Sequence, residues 1–203
     1  MKVSPEFLPL IEWWEKDGKK MTVWLLAAAV AVGGWYAWQA RKAYVKEAAA
    51  SQLANAYTAE ELEAAVAKFS DTATGGALKL RLAKNYFDAA RYNEALAQYE
   101  ELDGKAPDGF EDVPKVGKAQ CLEALGKFAE AQKAFDEFAA ANPKSFLKLT
   151  AQLGAARCVA AGGDKKKALE RLEVLKAENG KDELSQERIA ATVTLVKRYE
   201  AKK

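Results

Sequence analysis

Between Lys20 and Arg41 run twenty residues, MTVWLLAAAVAVGGWYAWQA, without one charged side chain. A helix of that length rises about 30 Å, the thickness of a bilayer's hydrocarbon core. Lys19 and Lys20 close one end and Arg41 and Lys42 the other. Trp24 lies near the first boundary, and Trp35, Tyr36 and Trp38 crowd the second, where amphipathic rings anchor a span at the membrane–water interface. The expectation is a membrane anchor formed by residues 21–40, with Trp24, Trp35, Tyr36 and Trp38 as its interfacial residues. A cleavable signal peptide fits poorly. Twenty residues precede the run, and bulky aromatics stand where a small-x-small cleavage site would be needed. No cysteine follows closely enough for a lipoprotein signal, and a buried core helix is not normally twenty uncharged residues between basic pairs.

Upstream, residues 1–20 form an expected cytoplasmic amphipathic stub, with Phe7, Leu10, Ile11 and Trp14 on one helical side, lying against the membrane surface. Orientation follows from Lys2, Lys16, Lys19 and Lys20 before the run, against Arg41, Lys42 and Lys46 after it. That small bias predicts an amino terminus on the cytoplasmic side.

The chain has 31 basic and 29 acidic residues, and residues 1–42 hold 6 and 4 of them. Residues 43–203 thus carry 25 of each. A neutral remainder argues against nucleic acid, whose phosphates require a basic surface. Histidine is absent, which removes the commonest general base and the commonest zinc ligand together. Cys121 and Cys158 stand in apolar helical contexts and form no paired-cysteine motif. They are expected to be buried and free. No phosphate loop, nucleotide fingerprint or serine elbow occurs. The sequence therefore offers no catalytic residue, metal site, cofactor or small-molecule substrate, and a binding role is expected instead of an enzyme.

Downstream of residue 75 the alanine-rich text repeats. The segments LAKNYFDAARYNEALAQYEELDGKAP, GKAQCLEALGKFAEAQKAFDEFAAANP and GAARCVAAGGDKKKALERLEVLKAENG share one pattern. Ala83, Ala119 and Ala156 open the pairs; Ala95, Ala131 and Ala168 mark the second helices, followed four residues on by Tyr99, Phe135 and Leu172. Both registers give spacings of 36 and 37. Alanine at a helix crossing allows close approach, and the larger residue one turn on fills the groove beside it. Turns are marked at 90–93, at Gly126-Lys127 and at Gly162-Gly163-Asp164, and Pro107 and Pro143 are expected to stop the second helices. One such pair cannot bury its own apolar face, so the pairs stack.

This pattern resembles the tetratricopeptide repeat, a helix-turn-helix unit with an alanine–aromatic–proline signature. The third unit departs from it, with Gly180 in place of proline and no aromatic, so a looser end is expected there. The organisation expected is all-α: a stub (1–20), a transmembrane helix (21–40), a linker helix and degenerate first repeat (41–75) with Thr58 as a cap, three tetratricopeptide-like repeats (76–180) forming an α-solenoid, and a C-terminal capping helix (181–203). In this fold the first helix of each pair lines the concave side. Leu80, Lys84, Phe87, Val116, Gln120, Glu123, Leu153 and Arg157 are the expected groove residues. Leu80, Val116 and Leu153 could equally pack against neighbouring helices. Charge reversal at Lys84 and Arg157 together is expected to weaken partner binding without loss of stability.

The stub, the Lys-Lys entry, the Trp-Tyr-x-Trp exit and the immediately following repeats together resemble the ancillary subunit of the bacterial Sec translocon, the YfgM-like family. That resemblance implies a single-pass protein of the bacterial inner membrane with its repeats in the periplasm. The partners implied are translocon subunits, periplasmic chaperones or exported chains. The competing expectation is a structural scaffold in another envelope assembly, such as cell-wall and division coordination, outer-membrane biogenesis or cytochrome maturation, because repeats of this kind serve all of these.

Overall fold

The computed structural model describes residues 8–199, and every regular element among them is helical. The chain divides into two compact units, Met1–Ala48 and Ala49–Lys203.

In the first unit α1 (Leu8–Trp13) passes through a π-helical turn, Trp14–Gly18, into α2 (Lys19–Asn55). The Trp14 ring lies against Gly18, where a Cβ would stand 2.5 Å from it. A π turn inserts one residue into the helical ladder and shifts the phase of everything before it. Ile11 and Trp14 are exposed, and Phe7 and the side chain of Leu10 lie outside the described residues. Helix α2 has 37 residues. It is the one described helix long and apolar enough to cross a membrane, and none of its apolar window is buried within the protein. A core helix of a folded domain would be covered.

In the second unit α3 (Ala59–Phe69) starts at a capping box: Thr58 Oγ1 accepts the Glu61 N–H at 3.2 Å and Glu61 accepts the Thr58 N–H at 3.2 Å. The expected cap is present. Three helix pairs follow, α4 (Gly75–Asp88) with α5 (Tyr92–Glu101), α6 (Val113–Ala124) with α7 (Phe128–Ala141), and α8 (Lys148–Ala161) with α9 (Lys165–Glu178). Helix α10 (Glu183–Arg198) closes the series, and α8 packs on both α9 and α10.

The turn inside each pair is the same object three times. Ala90, Gly126 and Gly163 adopt positive φ of 59°, 76° and 107°. The next residue donates its N–H five residues back, Arg91 to Tyr86, Lys127 to Leu122 and Asp164 to Val159, at 2.8, 2.9 and 3.1 Å. These bonds close Schellman turns and satisfy carbonyls a helix end leaves open.

Both alanine registers lie at the crossings: Ala83, Ala95, Ala119, Ala131, Ala156 and Ala168 are fully buried. Between pairs the contact is different. The Tyr99 ring lies against Gly117 of α6, and the Phe135 ring against Gly154 of α8. A Cβ at either glycine would stand 2.6 Å from the ring. An aromatic on one pair therefore seats on a bare backbone of the next.

The helix stops are chemically unequal. Helix α7 ends one residue before Asn142-Pro143, as expected, and the Asn142 side chain caps the Phe138 carbonyl at 2.9 Å. Asn179 repeats this on Leu175 at 2.8 Å, so α9 ends in the same cap without a proline. Helix α5 instead ends at Glu101, well short of Pro107, in a turn containing Gly104 at φ 71°. Proline does not stop it.

Cys121 and Cys158 are free and buried, as expected, and burial pushes their thiols up to about 11 and about 12. At neutral pH both stay protonated.

Gly154→Ala should lower stability by about 1–3 kcal/mol, because the buried Phe135 ring cannot swing aside. Chemical unfolding of the full chain in detergent measures it; unchanged stability would show that the ring–glycine contact is not tight. At the turns Gly126→Ala should cost about 1 kcal/mol. Ala90→Gly should leave the melting temperature equal or higher, since it relieves a left-handed alanine.

Candidate functional site

The inner helices of the three pairs, α4, α6 and α8, carry the expected groove residues, and the structure sorts them into three groups. Val116 and Leu153 are buried at 3% exposure each. Val116 joins Ala119, Ala131, Phe135 and Phe138 in one core cluster, and Leu153 joins Ala156, Leu172 and Ile189 in another. Of the two roles left open for them, the packing role is the one observed, and they line no open surface. Val116 is covered by α7 and α8, and Leu153 by α9 and α10.

Glu123 and Arg157 are brought together across the boundary between the second and third pairs. Nε and Nη2 of Arg157 donate to the two carboxylate oxygens of Glu123, each at 2.7 Å. Side-chain exposures of 23% and 18% make this a half-buried fork, the stronger form of a charge-assisted pair. Burial is the largest influence on Arg157 and opposes its charge, but the hydrogen bond and charge of Glu123 outweigh it and the guanidinium is held more firmly protonated than usual. A group so committed is not free to meet a partner. The expected stability-neutral reversal at Arg157 is thereby replaced by a structural role. Asp136 and Arg171 make a second fork across the same boundary, between α7 and α9.

Leu80, Lys84, Phe87 and Gln120 remain accessible or partly so. Lys84 is exposed and pairs with Asp88 one turn on, in its own helix. Phe87 sets its ring edge-on to Tyr92 across the turn, with centroids 5.3 Å apart, which fixes its direction. These four form the open part of the inner face.

The residues expected to anchor the chain all point outward. Trp24, Trp35, Tyr36 and Trp38 are 75%, 53%, 64% and 57% exposed. Trp35 and Tyr36 meet edge-on at 5.3 Å, and the Lys42 ammonium sits 5.3 Å from the Trp38 ring centroid. Gly117 and Gly154 are absent from the repeat pattern as the sequence shows it, although each follows its aromatic by a near-constant interval of 18 or 19 residues. Among the described residues, no three His, Cys, Asp or Glu side chains gather to hold a metal ion.

Comparison with solved structures places this geometry. Two crystal structures of a putative kinesin light chain with nearly identical TPR-like repeats from Podosopora anserina, one of them a substituted form, superpose on it with TM-scores of 0.58 and 0.56. Each match covers 79% of this chain and 85% of that one, at 20% and 19% identity. The fold is an α-solenoid of tetratricopeptide-like repeats. At that identity the likeness speaks to fold alone. No family model matches the chain, and no curated protein does.

The fork predicts a cycle. Arg157→Glu should destabilise by about 2 kcal/mol, leaving two facing carboxylates, and adding Glu123→Arg should restore most of that loss. Thermal unfolding of the three variants tests it; equal loss in single and double variants would remove the pair from the boundary's energetics.

Proposed function

We propose that this chain is a membrane-anchored tetratricopeptide-repeat adaptor that mediates protein–protein interactions in the bacterial envelope. On this reading it stands beside the Sec translocon and periplasmic chaperones and receives or hands on exported chains. The observation that carries the anchored part is α2. Twenty consecutive uncharged residues present their apolar side chains outward, with rings and lysines at the two boundaries. A surface of that kind requires an apolar surrounding.

The adaptor part is supported by the repeat fold, which displays extended concave surfaces for protein partners. The Sec assignment is supported by the order of stub, aromatic-bordered run and repeats. The lysine distribution supports an amino terminus on the cytoplasmic side and repeats in the periplasm. The chemistry is non-enzymatic: the chain binds. Its contact surface on the inner helices is Leu80, Lys84, Phe87 and Gln120, apolar patches edged by polar groups that suit extended or partly folded chains.

A photo-reactive residue at Phe87 or Gln120 of the full chain in native membranes should capture translocon channel subunits or exported chains. Capture of division or outer-membrane assembly proteins alone would replace this reading with the scaffold. Topology has its own check. Because Cys121 and Cys158 are buried thiols, Lys133→Cys supplies an accessible one, and an impermeant maleimide should label it once the outer membrane alone is opened. Labelling that waits for inner-membrane rupture would place the repeats in the cytoplasm.

A further inference from the structure

Helix α10 turns Ser185, Ile189, Thr192 and Val196 inward, where it packs on α8 and α9. The side it turns to solvent is not simply polar. Leu184 and Leu195 lie there at 66% and 43% exposure, and Ala191 between them is exposed as well. Glu187 and Arg198 fall on the same stripe, because the steps from 184 through 187, 191 and 195 to 198 are all three or four residues. The stripe is therefore acidic in its first half and basic in its last, with a leucine in each half and a small residue in the middle.

Its charges are not spent within the chain. Glu187 and Arg198 form no ion pair among the described residues. The positions three and four after Glu187 hold Ala190 and Ala191, and those three and four before Arg198 hold Leu195 and Thr194, so neither meets an opposite charge one turn away. Arg188, by contrast, is engaged, donating to Thr150 Oγ1 at 2.7 Å. The helix dipole favours acids in a first turn and bases in a last. Glu187 stands beyond that first turn, and the dipole gives no reason for two exposed leucines.

Reversed end to end, the stripe matches itself. With two copies of α10 antiparallel about Ala191, Leu184 and Glu187 of one helix meet Leu195 and Arg198 of the other, and the same meeting recurs at the opposite end. Run parallel, Glu187 would meet Glu187 and Arg198 would meet Arg198. A two-fold contact requires a surface complementary to itself in this way, and a contact with an unrelated protein does not. Alanine at the crossing permits close approach, the device that each helix pair of this array already uses. We propose that the outer stripe of α10 is a dimerisation surface, which joins two copies of this chain through antiparallel α10 helices. It uses none of Leu80, Lys84, Phe87 and Gln120, so it stands or falls independently of the inner-helix surface.

The test is disulfide cross-linking of the full chain in isolated membranes, with copper phenanthroline as oxidant. Cys121 and Cys158 are buried, so the unsubstituted chain supplies no accessible thiol. Ala191→Cys, at the two-fold axis, should give a covalent homodimer, and Glu173→Cys, equally exposed on α9, should not. Added to Ala191→Cys, either Glu187→Arg or Arg198→Glu should abolish the dimer, because each leaves like charges facing. The two together should restore it, since the swapped pairs match again. Absence of a homodimer with Ala191→Cys, a link to a different polypeptide in its place, or equal linking at position 173 would each overturn the surface. So would a link that persists in both single-charge variants, which would assign the association to the membrane spans, or a double variant that fails to regain it.

Discussion

An aromatic ring seated on a glycine of the next helix pair is the contact on which the array depends. Alanine crossings hold each pair together, but they are internal to the pair and say nothing about its neighbour. Tyr99 on Gly117 and Phe135 on Gly154 carry the order from one pair to the next. The Phe135 ring is wholly buried there, and the bare backbone beneath it allows an approach that any side chain would prevent. With that spacing fixed, α6 and α8 come into contact, Val116 is covered, and the inner face acquires its shape. The ring–glycine contact therefore decides which residues remain available to a partner.

Much of this is legible in the text of the chain. The alanine registers, the turns at 90–93, 126–127 and 162–164, the Thr58 cap and the buried free cysteines all follow from short-range rules: small residues at crossings, glycine where φ is positive, a side-chain oxygen at a helix start. What stays hidden involves residues far apart in sequence. Glu123 and Arg157 resemble groove charges because nothing local shows that they face each other across a boundary. Val116 and Leu153 sit on the inner side of their own helices, and only the neighbouring helix buries them. Pro107 has the mark of a stop, whereas Gly104 has already turned the chain before it.

Function follows the same division. The fold and the outward apolar surface of α2 rest on patterns dense enough to read directly. The partner does not, because an adaptor's specificity lies in a few side chains whose accessibility is settled by packing. Four of the eight expected groove residues stay open, and four serve the array itself, two in its core and two in the fork.

The two boundaries between repeats are not equally reinforced. Second and third pairs are joined by Phe135 on Gly154 and by two guanidinium–carboxylate forks, Arg157 with Glu123 and Arg171 with Asp136. First and second pairs meet through Tyr99 on Gly117 and a longer, more exposed Lys118–Asp103 contact at 3.6 Å. Their connection, residues 102–112, is also longer than the stretch 142–147 that joins the second pair to the third. In elastic terms the array is a spring of graded stiffness. By these contacts the α5–α6 joint is the more compliant of the two, and bending is expected there before it reaches the joint between the second and third pairs.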